Sequence, residues 1–150
     1  MCAEKTPWEQ VLDFHGHLCL EITIGFRLAQ IAQRELGIKP TSDTELTITA
    51  QTHSCALDAF QIINQTTFGR GNLQVNETGR HIYEFKYNSV PETIILEVNS
   101  SLLNQLDEFR TYHHPREKQA NLLKGVRFIL DKNEDEFCLI EHKPVEGSEN

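Results

Sequence analysis

Leu20, Ile24, Leu28 and Ile31 recur at helical spacing, and Gly37 stands where such a stripe would stop; the pattern predicts an amphipathic helix over residues 18–36. Ahead of it, Thr6-Pro7-Trp8-Glu9 has the composition of a capping box with proline at the first helical position, so a short helix is expected over residues 7–14. Gly16 separates the two. Residues 39–43 read as a loop, after which Leu46, Ile48 and Ala50 alternate with polar neighbours and predict a half-buried strand over residues 45–51. Ser54 is the expected cap of a helix over residues 55–64 that buries Ala56 or Leu57 with Phe60 and Ile63. Three short strands are expected at residues 73–75, 80–87 and 93–98, separated by turns at 76–79 and 88–91. The remainder has helical periodicity through Leu102, Leu103, Leu106 and Phe109, and again through Leu122, Val126, Ile129 and Leu130. A closing strand is expected at 137–140 and a frayed tail at 147–150. Helices and strands in separate runs indicate an α+β fold, an antiparallel or mixed sheet packed with helices in a single domain over residues 1–150.

Charge narrows the function classes. Lys plus Arg number 14 against 22 Asp plus Glu, a formal net charge of -8. Neutralising nucleic-acid phosphates or docking on anionic lipid needs a basic face, so neither a nucleic acid nor a membrane is an expected partner. The chain begins MCAEKTPWEQ, without a basic region followed by an apolar core, and a cytoplasmic location is the expectation. Cys2, Cys19, Cys55 and Cys138 are widely spaced with no CxxC pair, consistent with reduced thiols available for chemistry or burial.

The candidate chemistry lies in two places. Phe14-His15-Gly16-His17-Leu18-Cys19 sets two imidazoles and a thiol at alternate positions beside a helix start, and these are ligands suited to zinc, nickel, copper or iron. Cys55 follows the expected cap Ser54, where a helix dipole favours a thiolate, and Asp58 is one turn further along the same side. His53 precedes Cys55 by two positions and either joins this site or faces solvent. His113-His114 fits a loop, and Tyr83, Phe85 and Tyr87 on one strand face fit a core. The chain carries no GxSxG, HExxH or dinucleotide fingerprint.

Two segments in order, His15-Gly16-His17-Leu18-Cys19 with Gly25 in the following helix, and Cys55-Ala56-Leu57-Asp58-Ala59-Phe60-Gln61 leading to Thr67-Phe68-Gly69-Arg70-Gly71-Asn72-Leu73, resemble the formylmethanofuran dehydrogenase E-subunit family. The resemblance is strongest over residues 8–98. It implies an α+β core, a homodimer, and a histidine–cysteine cluster in a cleft at a metal. His15, His17, Cys19 and Cys55 become the implied metal ligands, with Cys55 and Asp58 as catalytic candidates and Gly69, Gly71 and Asn72 as a bordering loop. The chain departs from the family at Leu20-Glu21, where Pro-Gly is usual, and at Gln65-Thr66, where many members have Gly-Cys. It also lacks the cysteines of the zinc ribbon that follows the core in many members.

Three functions fit these residues. The first is a transition-metal protein, zinc before nickel or iron, that binds or acts on a small molecule. The second is a metal-free thiol enzyme or redox protein with Cys55 as nucleophile and Cys19 able to resolve it. The third is a dimeric interaction module in which the cluster only supports the fold.

Overall fold

The computed structural model describes residues 4–37, 45–88 and 90–144. Its elements run α1 (Pro7–His15), α2 (Leu20–Leu36), β1 (Leu46–Ala50), α3 (Ala56–Ile63), β2 (Leu73–Val75), β3 (Ile82–Tyr87) and β4 (Glu92–Val98). They are followed by α4 (Ser100–Gln105), α5 (Asp107–Arg110), a 3-10 turn (Pro115–Glu117), α6 (Lys118–Asp131), α7 (Glu134–Phe137) and β5 (Cys138–Pro144). The expected loop at 39–43, the tail at 147–150, Cys2 and the central residue of the 88–91 turn lie outside the described residues. The fold is α+β, as the pattern predicts, and the sheet is mixed.

The capping box forms as expected: Thr6 Oγ1 accepts from the Glu9 amide at 3.2 Å and Glu9 Oε1 accepts from the Thr6 amide at 2.9 Å. The helix runs one residue past the predicted end, and that residue is His15. It stops because Gly16 takes φ 97°, which a residue with a side chain adopts only under strain.

One five-stranded sheet has the order β2-β1-β3-β4-β5, with β1 parallel to β2 and every other pair antiparallel. Period-two alternation fixes the register. Ile48 faces Phe85 and Ala50 faces Tyr83, so the apolar positions of neighbouring strands fall on one face. A one-residue slip would turn that whole set to water. Leu46, Ile48, Phe85, Ile94 and Leu96 are at most 1% exposed, packed with Leu28 and Phe60 from the helices above. Phe60 meets Tyr83 and Phe85 edge to face, with ring centroids 5.2 and 5.3 Å apart. The opposite face carries Thr47, Thr49, Glu84, Lys86 and Thr93 and remains polar.

The closing strand is longer than the expected 137–140, reaching Pro144, because Glu141, His142 and Lys143 continue it as an exposed polar edge that hydrophobic periodicity does not register. His142 ties this edge to the helical layer, its Nε2 2.8 Å from Glu35 of α2 and its Nδ1 3.1 Å from Glu92. The Glu35 carboxylate, followed by burial and then Glu92, governs His142, and the net effect raises its pKa above the ordinary 6.5. A histidine whose folded value is raised stabilises the fold below its unfolded value, and that contribution is lost as pH rises through the folded one. Wild type is therefore expected to melt at a higher temperature at about pH 6 than at about pH 8.5, and His142→Gln to flatten that difference, as read by circular dichroism.

Candidate metal centre

The corner between α1 and α2 assembles three candidate ligands. His15 ends α1, the left-handed Gly16 reverses the chain, and His17 folds back so that the two imidazole rings lie 4.5 Å apart. Cys19 sits at the N-cap of α2 in extended conformation, one position ahead of the helix, where the pattern had placed it in the first turn. Its Sγ accepts from the Ile22 amide at 3.3 Å. The ligand atoms of His15, His17 and Cys19 all lie within 4.8 Å of one another, the single such group among the described residues.

A third helix completes the surroundings. Asp58 Oδ2 lies 2.7 Å from His15 Nδ1, and its Oδ1 accepts from Gln61 Nε2 at 3.1 Å. The carboxylate accepts the Nδ1 proton, so the neutral ring presents the bare Nε2 toward Cys19 Sγ, 3.5 Å away. The His15 side chain is 8% exposed and Asp58 34%.

The approach of α3 depends on Gly25. A Cβ built there would lie 2.4 Å from Ala56 Cα, so only glycine lets α2 come this close to the first residue of α3. Cys55 precedes that residue and packs with Cys19 against Val11, Ile22, Phe26 and Ala59. The helix begins one residue later than the pattern implied. Cys55 is its N-cap residue, already in right-handed geometry, and Ser54 Oγ accepts from the Ala56 amide at 3.3 Å.

Burial is the main cause that pushes the Cys19 thiol up to about 12; the Ile22 amide works against this, while the neighbouring Cys55 adds to it. Without a cation the thiol is protonated at neutral pH. A bound cation reverses that balance because it binds the thiolate.

The predicted site residues thus separate. His15, His17 and Cys19 converge, Asp58 supports His15, and Cys55 lies beside Cys19 but outside the group whose ligand atoms are mutually within 4.8 Å. The tightest pairing is His15 with Cys19, rather than the His17 and Cys55 on which the sequence reading centred. His53 faces solvent against Glu77, 3.2 Å from Nδ1 to Oε1. In the loop of Gly69, Gly71 and Asn72, Asn72 serves its own chain: its Oδ1 accepts from the Thr67 amide and its carbonyl from the Ile48 amide. His114 caps the 3-10 turn. Gln61 escaped the sequence reading as a functional residue, although its i+3 spacing from Asp58 was the available signal.

The donor set fits a borderline metal. Zinc bonds of about 2.0–2.1 Å to nitrogen and about 2.3 Å to sulfur, at a tetrahedral angle, place the two ligand atoms roughly 3.5 Å apart. His15 Nε2 and Cys19 Sγ already have that separation.

The comparisons with known proteins agree with this fold. A family model described as "FmdE, Molybdenum formylmethanofuran dehydrogenase operon" matches residues 14–139. The solved structure of an FmdE-like protein of tungsten formylmethanofuran dehydrogenase type from Syntrophus aciditrophicus superposes with a TM-score of 0.65 at 20% identity, covering 93% of this chain and 71% of that one. A probable S-adenosyl-L-methionine-binding protein of Archaeoglobus fulgidus is 25% identical over 73 residues, 46% of this chain. The chain spans 20% of that relative's length.

Proposed function

This chain belongs to the FmdE family, and from that premise and the geometry of its His–Cys corner we propose that it is a transition-metal-binding protein. The metal is held by His15, His17 and Cys19, zinc before nickel or iron. The observation that carries this reading is the 3.5 Å separation of His15 Nε2 from Cys19 Sγ, with the far side of the same ring fixed 2.7 Å from Asp58. Three protein ligands leave a position at which zinc polarises a carbonyl or lowers the pKa of a bound water.

The chain's own residues set the rest. Asp58 holds the tautomer and orientation of His15, a role that occupies both its oxygens, one with His15 and one with Gln61. Cys19 gives up its proton on binding. Cys55, beside Cys19, is the candidate fourth ligand. The site works in a homodimer in the cytoplasm on a small molecule. Among the described residues no helix is long and apolar enough to cross a membrane.

Protein purified without chelator and supplied with zinc is expected to retain about one metal per chain by elemental analysis, as a three- or four-ligand site requires. No retained zinc, nickel or iron would overturn the reading. Asp58→Asn keeps the size but accepts less strongly, and is expected to weaken metal affinity about 10–100-fold in competition with a chromogenic chelator. Cys55→Ala separates the two coordination states: unchanged affinity leaves Cys55 outside the ligand set, whereas a loss comparable to that of Cys19 makes it the fourth ligand.

The adjacency of Cys19 and Cys55 favours a second reading, a metal-free thiol protein in which Cys55 attacks and Cys19 resolves. Against it, Cys19 is pushed up to about 12, chiefly by burial, which leaves little thiolate at neutral pH. Selective alkylation of Cys55 near neutral pH in protein that never held metal would favour this alternative.

A further inference from the structure

A cleft of about 360 Å3 opens beside the corner. One wall is the start of α2, with His17, Cys19 and Glu21; the other is built by α5, α6 and the segment between them. That volume is at the small end of ligand sites, which run from ~300 to ~1,000 Å3. Phe109 and Leu122 give the far wall an apolar body, and Arg110 and Lys118 stand at its polar end. Two cations in one small cleft are an exception on a chain with net charge -8.

The cations keep unused capacity. Arg110 donates from Nη2 to Glu21 at 2.5 Å and from Nη1 to Asp107 at 3.1 Å. A guanidinium has five N–H groups, so three remain, and the two carboxylates hold the fork in place. None of the ion pairs among the described residues engages Lys118. Its ammonium brings three more donors.

We infer that this cleft binds a small organic carboxylate, its anionic end at Arg110 and Lys118 and its apolar body along Phe109 and Leu122 toward His17 and Cys19. An uncharged analogue of the same shape forfeits the charge-assisted bonds and leaves both cations solvated. The inference rests on the metal reading for what the inner end of the ligand faces, and not for how its carboxylate is held.

The test is a titration of isotope-labelled protein, metal-free and zinc-supplied, followed by amide chemical shifts. Benzoate, phenylacetate and hexanoate are each compared with the primary amide of the same acid. At least one acid should give saturable shifts around the cleft in both forms of the protein, with its amide at least tenfold weaker. Lys118→Gln, a surface change that leaves the fold intact, should weaken that acid about 5–10-fold, the scale of one partly exposed charge-assisted bond. Arg110→Gln should do the same, and if it fails to fold the Lys118 variant decides. The inference is overturned if no acid saturates the cleft by about 20 mM, a weak-binding limit, if acid and amide bind alike, or if Lys118→Gln binds as wild type does. Acid binding by a protein that holds no metal would sink the metal reading and leave this one standing. A protein that holds metal and binds no acid would do the reverse.

Discussion

Cys19→Ser is expected to lose stoichiometric metal while remaining folded. The residue has two separable duties. As N-cap of α2 its sulfur accepts from the Ile22 amide, a role that a serine hydroxyl fills at least as well. As a ligand it supplies the soft donor 3.5 Å from His15 Nε2, and a neutral hydroxyl does not replace a thiolate on zinc. Alanine would confuse the two, because deleting a cap costs roughly 0.5–2 kcal/mol by itself. The serine variant should therefore match wild type in metal-free melting temperature and bind zinc more than about 100-fold more weakly, beyond the ~10–100-fold cost of losing an orienting partner. His15→Ala should lose metal to the same degree, since it removes the ring held between Asp58 and Cys19. Retention of full affinity in the serine variant would remove Cys19 from the ligand set.

Gly25→Ala should be among the most damaging single-methyl changes in the chain. Two effects oppose one another. Alanine favours a helix interior over glycine by about 1 kcal/mol. Its Cβ, however, would lie 2.4 Å from Ala56 Cα and 2.8 Å from the Ala56 carbonyl oxygen, backbone atoms that no rotamer change can move aside. The helices must part, and overpacking a fitted interface costs roughly 1–3 kcal/mol. The steric term wins, and a melting temperature lower by about 3–8 °C is expected for a domain of this size. Parting α2 from α3 also pulls at the 2.7 Å bond between His15 and Asp58, so metal affinity should fall with stability. Gly125→Ala provides the contrast: its nearest obstacle is Leu20 Cδ2 at 2.6 Å, the end of a side chain that can turn away. A Gly25→Ala protein as stable as wild type would show that the helix–helix approach has slack.

The resemblance to a family was carried by residues that the fold uses in recognisable ways: His15, His17 and Cys19 at one corner, Gly25 at a helix crossing, Cys55 and Asp58 at a helix start. Reading His15, Gly16 and Cys19 as a local unit succeeded because a left-handed glycine between two helices brings near neighbours together without help from the rest of the chain. The opposite wall of the cleft gave no such signal. Arg110 and Lys118 sit in stretches of exposed, mixed charge that read as ordinary surface, and their meeting with Glu21 spans 89 residues in the case of Arg110.

Local chemistry therefore determined α1 and its capping box, the stripe of α2, the alternating faces of β1, β3 and β4, and the clustering of three candidate ligands within five residues. Each depends on interactions within a few positions, where backbone geometry alone sets the distance. Tertiary structure decided that Asp58 backs His15 rather than facing solvent, that Cys55 stands beside Cys19, and that His53 belongs to Glu77. Those outcomes follow from how closely α3 packs on the α1–α2 corner. That closeness is a balance of volumes at Gly25 and Ala56 that neither residue reveals in isolation.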